Sequence, residues 1–294
     1  MTQTAEGQGS RRPLAGDDPG RAGRGVSFAD GGELAHEIRL EILHQSKRAH
    51  VGHIGSALSI ADIVAALYGE IMNLPGPDDP ERDRFVLSKG HAALALYAAL
   101  HQIGWLTAER LDTYCGDGSL LGVHPDRDLR GIDFTTGSLG HGLALGAGAA
   151  LAARMQSSGR RVFVLISDAE CNEGSLWESA MFAAHHRLNN LTAILDLNGQ
   201  QALGYTGQVM DLAPMDQRWV SFGWDVDEVD GHDVAAIVKT VESGEAERSR
   251  PHLVIANTVF GYGVSFMQNK LEWHYLPMSD QQYEQALAEV RKAR

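Results

Sequence analysis

Two apolar runs, each ending abruptly in polar residues and separated by one helical pattern, constrain this chain more than any other feature. They lie in Val162 to Gly204, VFVLISDAECNEGSLWESAMFAAHHRLNNLTAILDLNGQQALG. The β-branched run Val162 to Ile166 gives way to Ser167, Asp168 and Ala169, and a helical pattern follows from Ser175 to Arg187. The second run, Leu191 to Leu197, ends on Asn198 and Gly199. Continuous apolar runs flanking a helix mark parallel strands buried on both faces, and in such sheets ligands bind at the carboxyl edge. Asp168 and Asn198 stand thirty positions apart, so one crossover can bring both oxygens to one small site. A carboxylate, an amide oxygen and loop carbonyls suit a hard cation such as Mg²⁺, which readily bridges to a phosphate.

The flanking chain extends the same pattern. Leu34, Ile38, Ile42 and Leu43 predict one face of a helix that breaks at VGHIGS, Val51 to Ser56, before a second helix from Ile60 to Met72. His53 sits there between glycines, where it either packs in a turn or meets a ligand that approaches the backbone closely. Phe85 to Leu87 predicts a short strand, and SKGH, Ser88 to His91, leads into a helix from Ala92 to Gln102. The open N–H groups of such a helix start face whatever His91 faces. A third histidine, His124, stands in GVHPD.

Thr135, Thr136 and Gly137 precede a helix running to about Gln156. Gly142, Gly146 and Gly148 recur on it, each at a cost of about 1 kcal/mol relative to Ala, so close packing against a neighbouring strand or a second subunit is expected. Further on, Trp224 to Val229 reads as a strand ending in DGHD, Val234 to Val241 as a helix, His252 to Phe260 as a strand and Asp280 to Ala293 as a closing helix. The adjacent His185 and His186 point about 100° apart on a helix and do not converge on a metal. His141 and His232 are read as structural, and Trp177, Trp219 and Trp224 as core. The alternation predicts an α/β fold, a doubly wound and mostly parallel sheet with helices on both faces. One domain over residues 28–294 follows a Gly- and Arg-rich tail, residues 1–27, expected to be disordered.

With 294 residues, 44% of them hydrophobic, the chain can bury a full core. A formal charge of -13 opposes nucleic acid and anionic membranes, and leaves a phosphate ligand to be neutralised locally, by a metal or by backbone donors. Cys115 and Cys171 are the two cysteines, which indicates neither a disulfide framework nor a cysteine zinc site and fits a reducing cytoplasm. No secretory signal or membrane span is recognised.

Taken together, VGHIGSALS, DRFVLSKGHAALALY, GVHPD, TTGSLGHG and SDAECNEG…DLNGQQALG resemble the thiamine-diphosphate domain of transketolases, in order and at suitable separations, over roughly residues 33–275. A full-length transketolase continues into a pyrimidine-binding and a C-terminal domain. This chain ends before either, so it resembles the N-terminal subunit of a split, two-component transketolase.

The resemblance implies roles position by position. Asp168 and Asn198 match side-chain ligands of the divalent cation, Mg²⁺ or Ca²⁺ or Mn²⁺, and the carbonyl of Gln200 matches a third ligand. His91 matches a histidine beside the diphosphate and the reacting centre. His53, His124 and His274 match histidines lining the sugar channel, with His124 also beside the cofactor. Gly137, Leu139 and Ala169 match backbone positions around the cofactor, and Glu173 a glutamate at the subunit interface that communicates with it. The family's signature opens GDG where this chain has Ser167, Asp168 and Ala169, and an alanine methyl interferes there only if the backbone requires a positive φ.

The implied activity is transfer of a two-carbon ketol unit from a ketose or ketose phosphate to an aldose. The family's activating glutamate and most of its substrate-phosphate arginines lie outside this domain, so a partner carrying the pyrimidine domain is implied, in an assembly of two copies of each chain. Another thiamine-diphosphate enzyme forming a specialised sugar or an acyloin, and a noncatalytic scaffold subunit, are the alternative readings.

Overall fold

The computed structural model describes residues 30–293; the expected tail, residues 1–27, lies outside them. In chain order the helices are α1 (Gly31–Ala49), α2 (Ile54–Ser59), α3 (Ala61–Ala66), α4 (Ala93–Gln102), α5 (Ala108–Leu111), α6 (Gly142–Met155), α7 (Gly174–His185), α8 (Thr206–Val209), α9 (Met215–Ser221), α10 (Val234–Glu242) and α11 (Asp280–Lys292). The strands are β1 (Arg84–Leu87), β2 (Val162–Ser167), β3 (Leu191–Leu197), β4 (Gln200–Gln201), β5 (Gly204–Tyr205), β6 (Asp225–Asp230) and β7 (His252–Asn257).

The main sheet has five strands in the order β1-β2-β3-β7-β6, all parallel, and β4 and β5 form a small antiparallel hairpin. Alternate side chains of each inner strand enter different cores, the period-2 consequence of a pleated strand covered on both faces. Phe85, Phe163, Leu165, Ile194 and Val254 join the core built with α1, α3, α4, α10 and α11. Val86, Val164, Ile166, Ala193, Leu195 and Ile255 join the one built with α6, α7 and α9, where Trp219 and Trp224 are buried and Trp177 packs against them. The doubly wound sheet expected from the alternation is what forms.

The glycines of α6 divide. A Cβ on Gly146 would stand 2.2 Å from Val164 Cγ2 of β2, and one on Gly142 would strike Ser88, just past β1. Close packing on the strands accounts for both, whereas Gly148 has open space.

Two boundaries differ from expectation. The first helix ends at Ala49, ahead of VGHIGS as expected, but a short extra helix, α2, starts at Ile54 inside that motif, where Gly55 allows a close approach: a Cβ on it would lie 2.1 Å from Phe260 Cε1. The helix expected from Ile60 to Met72 forms as α3 and a π-helical turn over Leu67–Ile71. His50 at φ 54°, which caps α1, and His53 at φ 60°, which precedes α2, make the turn between the two helices. The last strand stops at Asn257 rather than Phe260, and Thr258 turns in to donate its hydroxyl to Asp196.

Candidate active site

The register aligns Ser167 of β2 with Asp196 of β3, so the residues following both strands meet at one carboxyl edge. Asp168 is buried, and its Oδ2 accepts the Gly199 N–H at 2.9 Å while Oδ1 accepts that of Ala169 at 2.9 Å. Burial, then the nearby charge of Asp196, pushes its carboxyl up to about 7; the two backbone donors oppose that rise. Asn198 is buried beside it, and its Oδ1 accepts the Gln200 N–H at 2.9 Å. Gln200 is buried too, and neither polar atom of its side chain has a hydrogen-bond partner. Ala169 opens a short 3₁₀ turn and is not among the residues with positive φ, so its methyl fits the local backbone without strain.

Behind this turn lies a fully buried carboxylate, Asp196. Its Oδ2 accepts from Lys89 Nζ at 2.5 Å, Ser59 Oγ at 2.9 Å and Asn198 Nδ2 at 2.7 Å, and Thr258 donates to Oδ1. With Lys89 1% exposed, this ion pair is dry, and breaking such a pair from one side costs roughly 3–5 kcal/mol.

The four histidines come together on the same edge. His53 and His91 have ring centroids 5.4 Å apart, His91 Nε2 lies 3.0 Å from Ser56 Oγ, and the His53 N–H donates to the His274 carbonyl at 3.2 Å. Burial lowers His91 well below the usual histidine range, aided by the charges of Lys89, His53, His274 and His124. His274, stacked on Phe260 at 4.3 Å, is lowered to about 4 by burial, Lys89 and His53. His53 is lowered by burial and by His124. The Nδ1 atoms of His53 and His274 are buried without a partner. His124 is exposed and stands over Gly137, where a Cβ would lie 3.1 Å from its ring at a φ of 151°.

Leu139 and Glu173 lie one loop away from the histidines. Glu173 is exposed and packs against Gly140, whose added Cβ would stand 2.5 Å from that of Glu173. Gly140 N–H donates to Glu170 Oε1 at 2.9 Å, and the same buried carboxylate accepts from Ser88 Oγ and the Ser167 N–H. Glu170 thus ties the loop carrying Gly137 and Leu139 to the ends of β1 and β2.

Sequence reasoning overlooked Lys89, Asp196, Glu170, Ser56 and Phe260. A signal existed for the first two: an aspartate inside an apolar strand and a lysine inside SKGH each need a buried partner. His185 and His186 meet edge to face at 5.0 Å on the far helix α7. Among the described residues no group of three or more His, Cys, Asp or Glu is arranged to hold a metal.

The chain matches the family described as "Transketolase, thiamine diphosphate binding domain" over residues 32–291. It is 41% identical over 261 residues to a subunit of the 6-deoxy-6-sulfo-D-fructose transketolase of Clostridium sp. strain MSTE9, covering 88% of this chain and 95% of the relative. It is 42% identical over 254 residues to a subunit of the apulose-4-phosphate transketolase of Phocaeicola vulgatus, covering 85% and 89%. Its fold superposes on the solved transketolase from Leishmania mexicana with a TM-score of 0.85 at 29% identity, over 90% of this chain and 42% of that one, so the chain spans about two fifths of that single-chain enzyme. The strand-end oxygens, the histidine cluster and these matches together make the chain a member of the transketolase thiamine-diphosphate-binding family.

Proposed function

We propose that this chain is the thiamine-diphosphate subunit of a two-subunit transketolase, which transfers a two-carbon ketol unit from a ketose or ketose phosphate to an aldose. The observation that carries the reading is one carboxyl edge on which an oxygen-lined turn, Asp168 to Gln200, adjoins His53, His91 and His274, joined by contact, with the exposed His124 set over Gly137. Relatives matched over nearly their whole length are named subunits, whereas the single-chain transketolase extends well beyond the matched region. That contrast supports a separate partner, proposed to carry the pyrimidine domain; an assembly of two copies of each chain is the arrangement the family resemblance implies. The region matched by the family, residues 32–291, is proposed to act as one domain, in the reducing cytoplasm that the sequence composition fits. Among the described residues no helix is long and apolar enough to cross a membrane.

The donor set fits the cofactor. Asp168, Asn198 Oδ1 and the Gln200 carbonyl supply one charge and two neutral oxygens, a set that suits Mg²⁺, Ca²⁺ or Mn²⁺ with room for phosphate oxygens. The unpartnered Gln200 side chain and the raised carboxyl of Asp168 agree with a place made for a cation. Gly137 and Ala169 would offer backbone to the diphosphate and Leu139 would border it, while the exposed Glu173, packed against Gly140, would lie at the subunit interface. Bound thiamine diphosphate supplies the electron sink for carbon–carbon cleavage beside a ketose carbonyl.

The histidines hold and move protons on the sugar. His91 and His274 are neutral at pH 7, so each can accept a hydroxyl proton or share one by hydrogen bond. The Nδ1 atoms of His53 and His274 are buried without a protein partner, and a buried polar atom left so agrees with a hydrogen bond completed by a ligand. His124, exposed beside Gly137, orients the donor's hydroxyl end.

The test is ketol transfer from xylulose 5-phosphate to an aldose by this chain, by its co-purified pyrimidine-domain partner and by both. Activity confined to the mixture is expected. A mixture that binds thiamine diphosphate but transfers no ketol unit would point instead to another reaction of the same cofactor.

A further inference from the structure

The DGHD motif, Asp230 to Asp233, has no part in the chemistry above, yet its histidine is tied into a relay that ends at the active site. His232 Nε2 accepts the backbone N–H of Val259 at 2.8 Å. That bond leaves the hydrogen on Nδ1, which donates to Asp62 Oδ2 of α3 at 2.8 Å. Asp62 is buried and also accepts from Arg39 of α1, and the His232 ring stacks on Tyr262 at 3.5 Å and 10°. The imidazole is therefore fixed in position, ring plane and tautomer from two sides, by Asp62 of α3 and by Val259 and Tyr262 of the loop after β7. These groups line a pocket of about 490 Å³ whose walls include none of the four site histidines.

The segment it anchors is what places Phe260. One residue beyond Val259, the fully buried Phe260 ring stacks on His274 at 4.3 Å and presses on Gly55 of α2, leaving no room there for a Cβ. The next N–H, from Gly261, donates to the Gly55 carbonyl at 3.0 Å. Gly55 lies between His53 and Ser56, and Ser56 contacts His91. A shift of the Val259 N–H thus moves the spacer between His274 on one side and the His53 and His91 turn on the other.

We infer that His232 is a positioning residue: by accepting the Val259 N–H it sets the Phe260 ring between Gly55 and His274 and so spaces the site histidines. Its catalytic consequence rests on the proposed roles of His53, His91 and His274; its structural part does not.

Two amide variants separate its bonds. In His232→Asn the side chain reaches Asp62 but falls short of Val259; in His232→Gln it extends to the position of Nε2 and can accept the Val259 N–H. Hydrogen exchange of the backbone over residues 252–270 is measured in each variant of the assembled two-subunit enzyme, together with kcat and KM. Expected for His232→Asn is exchange about tenfold faster across Val259 to Gly263. A kcat lower by roughly 10- to 100-fold should accompany it, with KM for the ketose within about threefold, and His232→Gln should restore both to within about threefold. Unchanged exchange in His232→Asn, or equal losses in both variants, would overturn the inference. Were ketol transfer absent from the unmodified enzyme, the functional reading would fail while the exchange measurement still decided this one.

Discussion

Asn198 donates its amide nitrogen to Asp196 Oδ2 at 2.7 Å, and that bond decides which way the amide faces. With the nitrogen committed to a buried carboxylate, the oxygen must point out of the core, toward the Gln200 N–H and the end of β2 where Asp168 lies. A strand-end asparagine is thereby turned into an oriented oxygen donor by a residue two positions earlier.

Replacing Asp196 by Asn frees the amide to flip and leaves Lys89 charged and dry. Cation-dependent thiamine diphosphate affinity of the two-subunit enzyme should fall roughly 10- to 100-fold, as for other groups that orient a metal ligand. Stability should fall by roughly 3–5 kcal/mol. Calorimetric titration and urea unfolding read the two effects; normal affinity would remove Asp196 from the account.

Ala169→Gly restores the family's usual third signature position. Because Ala169 lies in ordinary backbone, the change should leave cofactor affinity within about threefold and lower stability by about 0.5–1 kcal/mol through added unfolded-state freedom. A large gain in affinity on titration would show that the methyl does obstruct the diphosphate.

How much of this was readable beforehand depended on whether the signal was local. Asp168 and Asn198 announced themselves because each ends an apolar run, and the two-sided burial of β2 and β3 was visible in runs without polar alternation. His53, His91 and His124 stood out through the glycines and motifs around them, whereas His274 was reached only through the family resemblance. Asp196 did not, since its partners Lys89 and Ser59 lie 107 and 137 positions away and nothing near Asp196 in the chain names them. The reason for Gly55 was hidden in the same way: the ring that demands it, Phe260, belongs to a distant loop. The partners of His232 were hidden too, because its bonds to Asp62 and Val259 exist only once α3 and the loop after β7 are packed together.

The glycines of α6 should respond in opposite directions. Gly146→Ala forces a methyl against Val164 and should destabilise by about 1–3 kcal/mol. Gly148→Ala meets open space and should stabilise the isolated chain by up to about 1 kcal/mol through helix propensity. Urea midpoints of the two variants, compared with the parent, check both.

His274 makes the chain acid-sensitive. Its folded-state value is lowered to about 4 from an ordinary 6.5, so above pH 6.5 it is neutral whether folded or unfolded. Between pH 6.5 and 4 the unfolded chain takes up a proton that the folded one refuses, and stability is lost as the pH falls. His274→Phe removes this contribution, so between pH 7 and pH 5 the parent should lose about 2 kcal/mol more than the variant. Parallel losses would show that His274 titrates normally in the folded protein.

The central claim is that the joined ends of β2 and β3 anchor thiamine diphosphate through a divalent cation. Its most direct measurement is calorimetric titration of thiamine diphosphate into the assembled two-subunit enzyme, with Mg²⁺ and with chelator, for the parent and for Asp168→Ala. The account predicts tight binding by the parent with Mg²⁺ alone, and a loss of at least about 100-fold in Asp168→Ala at unchanged assembly. Binding by Asp168→Ala as tight as the parent's, or parent binding indifferent to the chelator, would contradict it.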